Sequence, residues 1–126
     1  MKTVLLYNIN GKKAIDIKMI CHNLRIPFAE VSEEHFGYKL LQVLGLTPES
    51  VPDKGESFSD EMLYIYNLSD IELDKLLSQL RRKKATVALK AAATETNLNY
   101  NSYELYKEIS AEHKAMQNGE NLHNQT

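Results

Sequence analysis

The sequence is poor in the residues that announce a chemistry. It has no tryptophan, one cysteine, three prolines and five glycines in 126 residues. A single cysteine forms no internal disulfide and supplies no cysteine-rich metal site. Neither sign of charge dominates, since 15 basic and 17 acidic residues leave a formal charge of -2. Such a balance exerts no net pull toward nucleic acid or an anionic membrane. No apolar run approaches the roughly 20 residues that span a bilayer. The opening, Met1 to Asn8, turns polar too early for a secretory signal, and no small-residue cleavage site follows. The patterns G-x-G-x-x-G and G-x-x-x-x-G-K-[ST] are both absent, which disfavours the common nucleotide enzymes. The expectation is one soluble, cytoplasmic α/β domain over residues 1–116 and a flexible polar tail at 117–126.

What is present is an alternation of short apolar runs with amphipathic stretches. Thr3 to Ile9 is a nearly continuous β-prone run, suited to a strand covered on both faces. Gly11 breaks it. Ile17, Ile20, Cys21 and Leu24 then fall on one helical face. Pro27 marks the exit, because proline disfavours helical geometry in the residue before it. Phe28 to Ser32 reads as a second strand. Ser32 with Glu33-Glu34 reads as a helix start, and Gly37, Leu40, Leu41 and Leu44 continue the stripe to Gly45. Residues 47–60 hold two prolines, a glycine and three serines, the longest loop and of a length that suits a functional segment.

Glu61 to Leu68 reads as a third strand. Ser69-Asp70-Ile71-Glu72 is a capping-box sequence, and Leu73, Leu76, Leu77 and Leu80 form the apolar stripe of the helix that follows. Ala85 to Thr94 reads as a fourth strand, and Ser102 opens a last helix reaching about Met116. No repeat of period 20 to 50 is present, and the two strand-helix-strand halves share a pattern rather than residues.

This order predicts a small four-stranded sheet with helices packed on it. Two arrangements fit. In the favoured one the helix at 34–45 is a crossover and the strands run parallel, so that their downstream ends share one rim. The alternative is a ferredoxin-like split βαβ plan with strands two and three as antiparallel neighbours.

Most candidate groups have a plain structural reading. Cys21-His22 would be a thiolate-imidazole pair, but adjacent helical positions point about 100° apart and Cys21 lies on the apolar stripe. The histidines at 22, 35, 113 and 123 show no metal-ligand spacing. Gly11-Lys12-Lys13 reads as a turn with solvated lysines, and Arg81-Arg82-Lys83-Lys84 as the basic end of a helix. Tyr100, Tyr103 and Tyr106 frame either core packing or a partner surface.

The most suggestive stretch runs from Leu89 to Tyr100. A lysine sits late in an apolar strand, and a dense polar turn and a capped helix follow. In a parallel sheet, ligands gather beyond the carboxyl ends of strands. The same rim would receive Asn8, Asn10, Ser32 and Asn67. Asparagine and threonine are also what ordinary turns use.

The stretch carries a resemblance as well. V-A-L-K-A (87–91), T-x-T-N (94–97) and L-Y-x-E…E-H (Leu105-Tyr106, Glu108, Glu112-His113) stand in an order, supported by E-M-L (61–63), S-D-x-E-L-D (69–74) and L-L-Y-N (5–8), that resembles a family of small bacterial proteins known only as a domain of unknown function. The resemblance would cover most of the chain to about residue 115. It implies a soluble α/β protein without an assigned reaction, and it directs attention to Lys90, Thr94, Thr96, Asn97, Glu112 and His113. Tyr100 stands where the family pattern leads one to expect tryptophan.

The leading expectation is a non-enzymatic binding or interaction module of the bacterial cytoplasm. Its ligand-binding residues would be Lys90, Thr94, Thr96, Asn97, Tyr100 and His113, facing a small anionic ligand or a protein partner, with no cofactor, metal, nucleic acid or membrane. The competing expectation is an enzyme in which Lys90 holds an anionic substrate and His113 carries the proton. A third is a homo-oligomer joined through the tyrosines.

Overall fold

The computed structural model describes residues 1–48 and 51–124, with side chains as far as Gln117. The tail expected at 117–126 therefore lies, beyond Gln117, outside the described side chains. Among the described residues four strands and four α-helices alternate: β1 (Thr3–Tyr7), α1 (Gly11–Asn23), β2 (Phe28–Glu30), α2 (Leu40–Val43), β3 (Met62–Tyr66), α3 (Asp70–Arg82), β4 (Leu89–Ala92) and α4 (Ser102–Asn124). Short 3-10 turns at Glu33–His35 and Asn97–Asn99 precede α2 and α4. Among the described residues no helix is long and apolar enough to cross a membrane.

The sheet order is β2-β1-β3-β4. β1 pairs parallel with β2, β3 pairs parallel with β4, and the two central strands run antiparallel with Leu5 opposite Tyr64. The α/β class and the mostly parallel four-stranded sheet are as expected. The split βαβ alternative does not form, because β2 pairs with β1 and is not a neighbour of β3. The antiparallel central pair also removes the single rim. The ends of β1 and β2 lie at one side of the sheet, and the ends of β3 and β4 at the other.

Every residue of β1 is buried, which explains its lack of alternation: both faces are covered. Val4, Leu6, Leu63 and Ile65 pack beneath α1 and α3, against Ile17, Cys21, Leu76 and Leu80. Leu5, Tyr7, Met62 and Tyr64 meet Phe36, Leu40, Phe58 and Leu105 on the opposite face. Cys21 is fully enclosed, and burial pushes its thiol up to about 11. It is an inert core residue.

The two βαβ units are alike in detail. Tyr7-Asn8-Ile9 leads out of β1 as Tyr66-Asn67-Leu68 leads out of β3, and both asparagines are left-handed, with φ of 59° and 60°. Asparagine tolerates that region better than other non-glycine residues. Each then ties down the start of the opposite central strand. The Asn8 side chain donates to Phe58 O and Asp60 O, and the Asn67 side chain donates to Met1 O. Both helices end in a Schellman motif. Arg25 and Lys84 are left-handed, while Ile26 N donates to Cys21 O and Ala85 N to Leu80 O. Even the ion pairs correspond, with the charges exchanged: Lys2 pairs with Glu72, and Glu61 pairs with Lys13. The repeat has the 59-residue offset that separates Tyr7 from Tyr66, longer than the periods considered from sequence.

The expected helix at 34–45 is broken in two. At Gly37 a Cβ would lie 2.1 Å from Asp53 O, and Asp53 N donates to Gly37 O. Beyond it, Lys39 is extended and bridges Asn101, with Leu40 N donating to Tyr100 O. These cross-links hold 37–39 out of a helix, so the segment packs on the sheet face and is no parallel crossover. Gly45 lies just past the end of α2 at φ 75°, as its position predicts.

Candidate functional site

The first half contributes nothing to the end of β4. Asn8 and Ser32 belong to the opposite side of the sheet, and Ser32 there meets the His35 ring at 2.8 Å. Asn67 lies on the β4 side, but its amide is engaged by Met1 O. What gathers at the end of β4 comes from β4, the turn after it, and α4.

Asn97 organises that turn. Its Oδ1 accepts from Thr94 N at 2.8 Å and from the Tyr64 hydroxyl at 2.6 Å. Its Nδ2 donates to Ala92 O at 3.0 Å, and its own N–H donates to Thr94 Oγ1. Both lone pairs of the side-chain carbonyl are thus occupied. Asn97 builds the site more than it offers a free group. Tyr64 is fully buried, and burial raises its hydroxyl above the usual tyrosine range. A neutral hydroxyl that donates to Asn97 links the sheet core to the turn. The helix that follows is capped by Asn101 and not by Ser102: Glu104 N donates to Asn101 Oδ1, and Asn101 N donates to Glu104 Oε1. Ser102 instead shares a buried hydrogen bond with the Tyr7 hydroxyl at 2.8 Å.

Between β4 and α4 lies a groove of about 320 Å³. Lys90, Thr94, Thr96, Asn97 and Tyr100 line it, five of the six residues singled out from sequence. The sixth, His113, does not line the groove, and its Nε2 lies 3.2 Å from the Gln117 side-chain nitrogen. The pairing of Lys90 with His113 that proton transfer would require is not formed. Glu108, Ile109 and Glu112 complete the wall on α4. The Glu108 carboxylate beside Tyr100 raises the tyrosine's proton affinity. The Lys90 ammonium donates to Val87 O, which leaves two of its three donors free.

Main chain contributes too. Ala93 N donates to Ile65 O, within the alternating pattern of a parallel ladder. Leu89, Ala91 and Ala93 therefore face β3, and the peptide groups of Lys90 and Ala92 point to the free edge. Ala92 O is taken by Asn97, while Ala92 N–H faces outward.

A larger recess of about 640 Å³ opens at the other edge, between β2 and α2. Its walls include Leu5, Pro27, Ala29, Val43 and Leu44. Of its polar side chains, Lys2 pairs with Glu72, Asn67 donates to Met1 O, and Thr3 is buried in β1. Among the described residues no cluster of histidine, cysteine and carboxylate side chains could hold a metal ion.

Glu108 was quoted from sequence only within a motif, and Tyr64 only within a strand. The spacing of Glu108 and Glu112 puts both carboxylates on one helical side. No feature of the sequence says that this side borders β4.

Residues 61–116 match the model of a family described as a domain of unknown function (DUF3783). The resemblance to an uncharacterised family is borne out over these residues, which run from β3 into α4 and include every residue of the groove. Residues 1–60, with the L-L-Y-N opening, lie outside the match. No curated protein and no solved structure matches the chain.

Proposed function

We propose that the protein is a small binding module of the bacterial cytoplasm that holds a polar small molecule in the groove between β4 and α4. The observation that carries this reading is the convergence of Lys90, Thr94, Thr96, Tyr100, Glu108 and Glu112 on one concavity, floored by a turn whose own hydrogen bonds are complete. A concave site with a few convergent polar groups on a rigid support is the usual form of a small-molecule site. Binding is favoured over catalysis because His113 stands off the groove and Cys21 is enclosed in the core, so no nucleophile-base pair meets a ligand there. The free buried thiol suits a reducing compartment.

Thermal unfolding in the presence of amino acids, carboxylic acids, phosphate esters and nucleosides tests the reading. A ligand of the native state raises the midpoint. The expected result is that at least one class raises it for the natural sequence, and that Lys90→Met with Glu112→Gln abolishes the rise. If no class raises it, or every rise survives both substitutions, the groove is not a ligand site.

A further inference from the structure

β4 is an edge strand, and its free side opens into the groove. Leu89, Ala91 and Ala93 turn their peptide groups to β3, so those of Lys90 and Ala92 point outward. Among the described residues no hydrogen bond engages the N–H or C=O of Lys90 or the N–H of Ala92. Ala92 O is capped by the Asn97 side chain, so the open stretch stops there. Lys90 does not screen this edge from α4. It stands opposite Leu63, on the face that α1 and α3 cover, and its ammonium is drawn onto Val87 O. The α4 face of the strand carries only the small surface of Leu89 and Ala91.

Beside this edge α4 presents Glu108, Ile109 and Glu112 to the same cavity. Four ion pairs are present among the described residues, and neither glutamate takes part in one. The charges that α4 brings to the groove are thus both negative. Sheets ordinarily blunt an open edge with charge, proline or a covering element. An open edge with a groove between it and a helix instead accepts an extended peptide as a further strand. Main-chain bonds hold such a peptide, and its alternate side chains select it. A strand added along β4 makes three hydrogen bonds with the free groups of Lys90 and Ala92, in either direction. Its side chains alternate between faces. The residue opposite Ala91 therefore points to α4, and its two neighbours point to the other face. A lysine or arginine at that central place lays its stem on Ile109 and its charged head on Glu108 and Glu112. An acidic residue there meets like charge, which is costly.

Resting on the reading of this groove as a ligand site, we infer that its ligand is a short peptide with a basic central side chain, laid along the free edge of β4. About three residues span the open stretch, because Asn97 closes the ladder at Ala92. This replaces the small anionic ligand expected from Lys90 alone. The fold turns the Lys90 side chain to the other face and brings the carboxylates of α4 in its place.

Backbone amide shifts of the full chain test the inference. The probes are tripeptides blocked at both ends, with a central arginine or a central glutamate between alanines. Amino acids, carboxylic acids, phosphate esters and nucleosides are titrated in parallel. The arginine peptide is expected to move resonances at 90–92 and 108–112 and to slow hydrogen exchange at the Lys90 and Ala92 amides. It is expected to bind at least fivefold more tightly than the glutamate peptide. Glu108→Gln with Glu112→Gln is expected to erase that preference while binding persists. Ala92→Pro is expected to abolish binding, since proline removes the outward N–H and leaves the bonds to β3 in place. Circular dichroism checks the fold of each variant, and should Ala92→Pro not fold, exchange at the two amides of the natural sequence decides. Equal binding of the two peptides, unchanged exchange at Lys90 and Ala92, or binding that survives Ala92→Pro in a folded protein overturns the inference. A groove that responds only to the small-molecule classes also overturns it and remains a ligand site. If no probe moves 90–97 and 108–112, both readings fall.

Discussion

β1–α1–β2 and β3–α3–β4 leave their central strands through equivalent left-handed asparagines and close their helices with equivalent Schellman turns, yet their outer strands differ. All three residues of β2 are exposed, and the nearest helix on the far face, α2, has four residues. In β4, Leu89 and Ala91 are buried, and α4 lies alongside. The βαβ unit by itself thus makes no site. A groove forms where further chain, the turn at 93–101 and α4, closes over the end of the second unit and brings the carboxylates of Glu108 and Glu112 beside β4.

The strongest test of the likeness is in the shared core. Ile17 and Leu76 occupy equivalent positions and are both fully buried. Truncation of either to alanine should cost about 2–5 kcal/mol, with similar costs in chemical denaturation. A cost for one less than half that for the other would break the equivalence.

The asparagines come next. Asn8→Ala and Asn67→Ala each force alanine into a left-handed conformation, at about 1–2 kcal/mol. Asn8 should cost more, because it donates to two carbonyls and Asn67 to one. Asn8→Gly and Asn67→Gly should recover the conformational part only, and their residual losses should keep the same order.

The helix starts sharpen the difference between the halves. Ser69 and Glu72 form a complete capping box, whereas Asn10 makes no side-chain cap. Ser69→Ala should lose about 1 kcal/mol in the same assay, and Asn10→Ala much less. Equal losses would show that α1 is capped as well as α3.

The smallest effect concerns acid. The Lys2 ammonium and the Ser69 amide hold the Glu72 carboxyl down to about 2, below its usual value of about 4.3. A depressed carboxylate contributes stability that is complete above pH about 4.3 and lost as the pH falls through about 2. Lys2→Met should therefore unfold slightly earlier than the natural sequence at pH 6, with the two curves converging near pH 2. The effect is small because the half-buried pair is still open to solvent. A constant separation across that range would assign Lys2 a role other than pairing.

Much of the architecture was legible because local chemistry and tertiary packing agree. The Ser69 box, the leucine stripe of α3 and the enclosed β1 run all stand where their patterns place them. The helix at 34–45 failed because Gly37 and Lys39 are claimed by distant partners, Asp53 and Asn101, which no local pattern reveals. Strand direction failed for the same reason. A sheet with all four strands parallel and one with a single antiparallel pair require the same apolar runs, and only the antiparallel pairing of β1 with β3 decides which ends meet. Lys90, Thr94, Thr96, Asn97 and Tyr100 were legible as a cluster because they are close in the chain. Glu108 acquires its position from the packing of α4 along β4, and His113, its neighbour on the same helix, is turned away by the same packing.

The central claim, that only the second half carries a ligand site, is tested most directly by amide hydrogen exchange with and without a mixture of amino acids, carboxylic acids, phosphate esters and nucleosides. The account predicts added protection at 90–100 and 108–112 and unchanged exchange at 28–30. Protection at the β2 edge, or equal protection at both edges, would contradict it.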